Sequence, residues 1–191
     1  MTTDRLQALS DGVFAIAMTL LVLELPLPEH SDDLAHDLIE QWPFYAAYAV
    51  SFGTLAIIWI NHHALLDRVA RADRTLMELN LLLLLFVALV PWPTGLIAAY
   101  LRDGAEGPAA GVTYGIVLGL MSLAFASIWL WLARAEHLLH EGPKPHLTAA
   151  IRRSLVGPGA YACGALLSLV SAPLAFVVYA GVAVFFALSG R

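Results

Sequence analysis

A few polar side chains stand at the ends of otherwise apolar runs. Ser10 and Asp11 precede the uncharged stretch Val13–Leu23; Trp59, Asn61, His62 and His63 close a second apolar run; Glu78 and Asn80 open a third. Hydroxyl, carboxylate, indole, amide and imidazole can form a chain in which every N–H or O–H meets an acceptor. Two other chemistries use the same residue types. Adjacent histidines suggest metal or haem ligation, but neighbours on a helix point about 100° apart, so His62 and His63 do not chelate one ion from one face. A carboxylate with an imidazole inside a membrane can carry a proton, which would make Asp11 and a histidine of the second run a transport pair. His137 and His140 have i, i+3 spacing, yet they stand among Glu136, Glu141 and Pro143 and read as a solvated helix end. The chain has no phosphate-binding loop, no H-E-x-x-H and no G-x-S-x-G, so no enzyme and no cofactor is expected. The carbonyl-filter sequence TVGYG is absent too.

The elements that must position these groups are membrane spans. The chain has 191 residues, 60% hydrophobic and 13% charged, with mean hydropathy +0.76. A soluble domain shows roughly 45–50% apolar and about 25% charged residues. A net charge of −5 gives no reason to expect nucleic acid as a partner. Cys163 is alone, which excludes an internal disulfide and a cysteine metal site. Six apolar segments are expected as helices, at 6–25, 42–66, 76–101, 109–133, 148–170 and 173–188, in one all-α transmembrane domain over 1–191. The first reaches about 30 Å at roughly 1.5 Å per residue, and Pro26 and Pro28 end it. It is too long for a signal-peptide core and lacks a small-x-small cleavage site, so it reads as retained. Pro91-Trp92-Pro93 should kink the third segment. Gly111, Gly115 and Gly119 suit close packing by the fourth. Gly157-Pro158-Gly159 lies within the fifth, and the last two segments should form a tight antiparallel hairpin.

Charge sets the orientation. Arg5, Arg68, Arg71, Arg74, Arg134, Lys144, Arg152, Arg153 and Arg191 all fall on one side of a six-span layout, nine of the ten basic residues; only Arg102 falls opposite. The positive-inside rule then puts both termini in the cytoplasm of a multi-pass cell-membrane protein. The first outer loop is acidic, with Glu29, Asp32, Asp33, Asp37 and Glu40 after Glu24, and a short surface helix is expected over 32–40. Ser10–Asp11, Trp59–His63 and Glu78–Asn80 come to one depth near the inner interface. They either bind one another and lock the first helix to the second and third, or sit in headgroup water. Asp11 lies a turn or more inside the apolar region, which favours the bound network.

These residues carry a family resemblance. Arg5-x-x-x-Leu9-Ser10-Asp11 resembles the R-x-x-x-F-S-D signature of the TMEM175 family of potassium channels, with Leu9 in place of its Phe. Trp59-x-Asn61-His62-His63 and the stretch from Asn80 to Pro91 resemble the matching parts of that family's second and third helices. The resemblance implies a six-helix subunit, four of which surround a pore lined by the first helix. The pore would conduct K⁺ in preference to Na⁺ without a carbonyl filter. The implied partners are other copies of the chain (a homotetramer), potassium ions and lipid. The pore positions fall on Ile16, Thr19 and Leu23, with Glu24 at the mouth and Ile16 or Leu23 as the narrowest ring. Helix geometry is compatible: with Gly12 at zero, these three lie at about 40°, −20° and 20°, Ser10 at about 160° and Asp11 at about 260°. Arg5 falls near 20°, on the stripe side, and Val22 lies about 100° off the stripe. Two competing functions are a proton-coupled transporter using Asp11 and a histidine, and an assembly protein in which the network serves packing alone.

Overall fold

The computed structural model of this chain describes residues 3–28, 33–103, 108–140 and 147–189, and it is helical almost throughout. Expectations for Glu29, Asp32, Glu141, Pro143, Lys144 and Arg191 fall outside the described residues. Helix α1 is Thr3–Leu20, followed by a 3-10 turn over Leu21–Glu24; α2 is Leu34–Glu40 and α3 is Trp42–Leu66. Then come α4 (Arg74–Leu89), α5 (Pro91–Asp103), α6 (Ala109–Arg134), α7 (Leu147–Ser154), α8 (Val156–Ser168) and α9 (Ala172–Ser189). Among the described residues, four stretches are long and apolar enough to cross a membrane: Thr3–Glu24, Trp42–Leu66, Arg74–Arg102 and Ala109–Arg134. Pro173–Leu188, within α9, is a shorter apolar helix.

Helix starts follow from local chemistry. Asp73 caps α4 by accepting from Leu76 N–H at 2.8 Å, and Asp33 caps α2 by accepting from His36 N–H at 3.1 Å. The helix expected over 32–40 therefore begins after Asp33. Pro43 sits in the first turn of α3, where a missing N–H costs nothing.

Three of the helix ends and breaks follow from proline. Pro91 cannot bond the carbonyl of Val87; that oxygen takes Val90 N–H at 3.3 Å, and α4 gives way to α5 there. Pro158 likewise offers no N–H to Ser154, and the helix expected over 148–170 is instead α7 and α8, divided at Leu155. At the end of α1, Leu25 precedes Pro26 and is extended, with ψ of 118°, so the last turn tightens to 3-10 rather than continuing as α-helix to residue 25.

Helix α6 is central, packed against α4, α5, α7, α8 and α9. Its close approach to α8 depends on absent side chains. A Cβ on Gly111 would strike the Ser168 hydroxyl, and one on Gly115 would lie 2.9 Å from Ala165 Cβ. Gly119 has room, with Tyr161 Cβ at 3.6 Å. Buried hydroxyls tie the bundle together: Ser51 Oγ lies 2.8 Å from both Thr94 Oγ1 and the Tyr114 hydroxyl, and Tyr179 donates to the Gly111 carbonyl at 2.8 Å. The segments after α3 and α6 also pair. Val69 and Leu139 form an antiparallel bridge, with Ala70 N–H on Leu138 O at 2.8 Å and His140 N–H on Arg68 O at 3.0 Å. Leu138 is buried between His137 and His140, both of which are exposed.

Candidate functional site

The polar residues at the start of α1 meet α3 and α4 in two separate groups. The first is buried. His62 Nε2 lies 2.7 Å from Asn80 Oδ1; Asn80 Nδ2 donates to Ser10 Oγ at 3.0 Å; Ser10 Oγ donates to the Leu6 carbonyl at 2.9 Å. Ser10, His62 and Asn80 are each at most 1% exposed. The direction of the chain is fixed by its chemistry: Asn80 Oδ1 only accepts, so His62 carries its proton on Nε2. Phe14, one turn after Ser10, packs its ring 5.6 Å from the imidazole. The first helix is thus pinned to α3 and α4 by a run of hydrogen bonds with apolar cover.

The second group is half-exposed. Trp59 Nε1 donates to Asp11 Oδ1 at 2.8 Å. His63 Nδ1 stands 4.0 Å from the same carboxylate oxygen, and Gln7 Nε2 donates to that Nδ1 at 2.9 Å. Gln7 was not among the residues singled out from sequence. Its signal was there: it precedes Asp11 by four residues, which stacks the two on one helix face. The 100° step between His62 and His63 separates the two groups, sending one imidazole inward to Asn80 and the other toward Gln7 and Asp11.

Three residues singled out from sequence stand outside the network. Asn61 turns the other way, donating to the Ile57 carbonyl at 2.8 Å and lying 3.5 Å from Arg153 Nη2. Another 100° step along α3 accounts for that. Arg5 is exposed, with no hydrogen bond or ion pair to any described residue. Glu78 likewise pairs outward, with Arg74 at 2.7 Å. Among the described residues no three histidine, cysteine or acidic side chains are grouped to hold a metal.

The rest of α1 has two unlike faces. Ser10, Phe14, Ala17 and Leu21 are buried against the bundle. On the opposite face Ile16 is 59% and Leu23 73% exposed, with Thr19 exposed between them and donating its hydroxyl to Ile16 O at 2.8 Å. The 3-10 turn alters the end of this stripe. At about 120° per residue it carries Leu23 to about 80° and brings Val22 to about −40°. Val22 is accordingly 50% exposed rather than packed away. Glu24 is half-buried and lays its carboxylate against α5 at Gly95, where a Cβ would overlap it.

Helix composition and this buried polar anchor define a multi-pass membrane protein whose first helix is held on one side and open on the other. Residues 5–91 match the family described as the endosomal/lysosomal potassium channel TMEM175. A protein of Streptomyces collinus named as a potassium channel is 43% identical over 187 residues, covering 96% of this chain and 91% of that one. A potassium channel of Chamaesiphon minutus is 40% identical over 191 residues, covering 97% of this chain and 94% of that one. The crystal structure of a lysosomal potassium-selective channel TMEM175 homolog from that organism superposes with a TM-score of 0.89 at 35% identity, covering 99% of this chain and 98% of that one. The chain belongs to the TMEM175 family.

Proposed function

We propose that this chain is the subunit of a homotetrameric potassium-selective channel of the cell membrane, with both termini cytoplasmic and α1 lining the pore. One observation carries the reading: the face of α1 opposite its anchored side is an exposed stripe of Ile16, Thr19 and Leu23. An exposed apolar face on a helix end-locked by polar groups suits a wall around an axis made of four copies. The names of the Streptomyces and Chamaesiphon relatives support the ion.

In this reading α7 and α8 together make the fifth passage and α9 the sixth. Four branched aliphatic side chains around an axis exclude water when the helices are close, and a cation entering there loses hydration without gaining a ligand. Outward movement of α1 admits partly hydrated ions, and K⁺ sheds water more readily than Na⁺. Thr19 hydroxyls replace part of the lost water. Glu24 raises cation concentration at the mouth.

The test is flux from liposomes holding the purified chain. Passive K⁺ efflux exceeding Na⁺ efflux is expected. Ile16→Asn or Leu23→Asn should raise the leak and weaken selectivity, while Phe14→Asn, on the buried face, should lower folded yield. Well-folded Ile16→Asn and Leu23→Asn proteins with unaltered permeation would remove α1 from the conduction path. Saturable flux coupled to a pH gradient would favour the proton-coupled alternative.

A further inference from the structure

On the side of α3 that faces away from α1, helices α3, α6, α7, α8 and α9 enclose a cavity of about 510 Å³. It stands at the end of the bundle where the α1 anchor lies, because Asn61, adjacent to His62, lines it. Its charged lining is Arg68 and Arg153, with no carboxylate among the described lining residues. Arg153 is half-buried, and among the described residues its Nη2 reaches only neutral acceptors, the Phe186 carbonyl at 3.1 Å and Asn61 Oδ1 at 3.5 Å. Its guanidinium also lies 5.8 Å from the Phe186 ring, and that of Arg68 lies 5.8 Å from the Trp129 ring. Neither arginine has an ion pair among the described residues.

A guanidinium drawn from water without an anion is costly, and its fork suits phosphate. The rest of the wall is largely apolar, with Ile57, Ile58, Phe125 and Tyr161. The volume lies in the range of pockets that hold small amphiphilic ligands, about 300–1,000 Å³. A bare phosphate would satisfy the arginines and leave that apolar wall against water. We infer that the cavity binds an anionic phospholipid, its phosphate between Arg153 and Arg68 and its glycerol and upper acyl carbons on the Ile57–Phe125 wall. This goes beyond conduction: the bound lipid braces the last two turns of α3, whose other face carries Trp59, His62 and His63 and so holds α1.

Native mass spectrometry of the purified full chain tests this directly, with phosphatidylglycerol, phosphatidylcholine or inorganic phosphate as the probe. The readout is binding, so it stands or falls independently of ion flux. Phosphatidylglycerol should be retained in preference to phosphatidylcholine. Arg153→Gln should weaken its binding about tenfold, the weight of a charge-assisted hydrogen bond, and Arg153→Lys should restore part of it. Arg68→Gln, at an exposed position that should not disturb folding, should weaken it as well. Arg102→Gln, away from the cavity, should leave it unchanged. Three outcomes overturn the inference: equal retention of the two lipids, phosphatidylglycerol binding unchanged by Arg68→Gln and Arg153→Gln, or saturable inorganic phosphate binding that phosphatidylglycerol does not displace.

Discussion

Asn80 is the hub of the buried anchor, because its amide both accepts from His62 and donates to Ser10. Asn80→Ala would strand the buried His62 N–H, at a cost of about 1–3 kcal/mol. A lowered thermal midpoint and reduced folded yield in detergent are expected. Asp11 is different, since its carboxylate is about 40% exposed and its contact with Trp59 needs only an acceptor. Asp11→Asn should therefore retain stability that Asp11→Ala loses, as comparative melting of the two proteins would reveal. A stable, well-assembled Asp11→Ala protein with altered conduction would transfer Asp11 from anchoring to a direct role with ions or protons. Ser10, His62 and Asn80 were readable as one cluster from sequence because topology alone brings three helix ends to one depth. The split into two groups was not readable, since it depends on where each 100° step points.

At the scale of elements, the glycines of α6 give a graded test. Gly115→Ala places a methyl 3.2 Å from Ala165 Cα, and backbone cannot yield as a side-chain tip does. The α6–α8 contact should open and the thermal midpoint fall. Gly119→Ala meets only Tyr161 Cβ at 3.6 Å, an ordinary contact, and should leave the midpoint nearly unchanged. Equal effects would mean that α6 and α8 do not pack through Gly115. The four-residue spacing announced a packing face but not its partner, because spacing holds no information about α8. Prolines were legible in kind and less so in degree. Pro91 interrupts the third apolar segment where a kink was expected, whereas Pro158 divides the fifth and Pro26 tightens the end of α1. The bridge between Val69 and Leu139 had no signal at all, since neither loop alternates like a strand.

At the scale of the whole molecule, composition announces a membrane protein, but orientation rests on charge counted across loops. The inner side is argued from Arg68, Arg71 and Arg74 after α3 and from Arg152 and Arg153 in α7. The outer side is argued from the acidic run around α2. Labelling with a membrane-impermeant thiol reagent separates the two. The exposed native Cys163 must first be replaced, as Cys163→Ala. Asp33 is a poor outer reporter, because its side chain caps α2; Leu34, 59% exposed in the first turn of that helix, reports the same side without removing a cap. Arg71 is exposed and contributes only its backbone N–H to the Leu138 carbonyl, so Arg71→Cys leaves the bridge in place. Intact cells should label Leu34→Cys and spare Arg71→Cys, with both labelled after permeabilisation. The reverse pattern would turn the bundle over. The Ser10–Asn80–His62 anchor and the Arg68–Arg153 cavity would then face the outer leaflet, and Glu24 would stand at an inner mouth where it could no longer gather cations from outside.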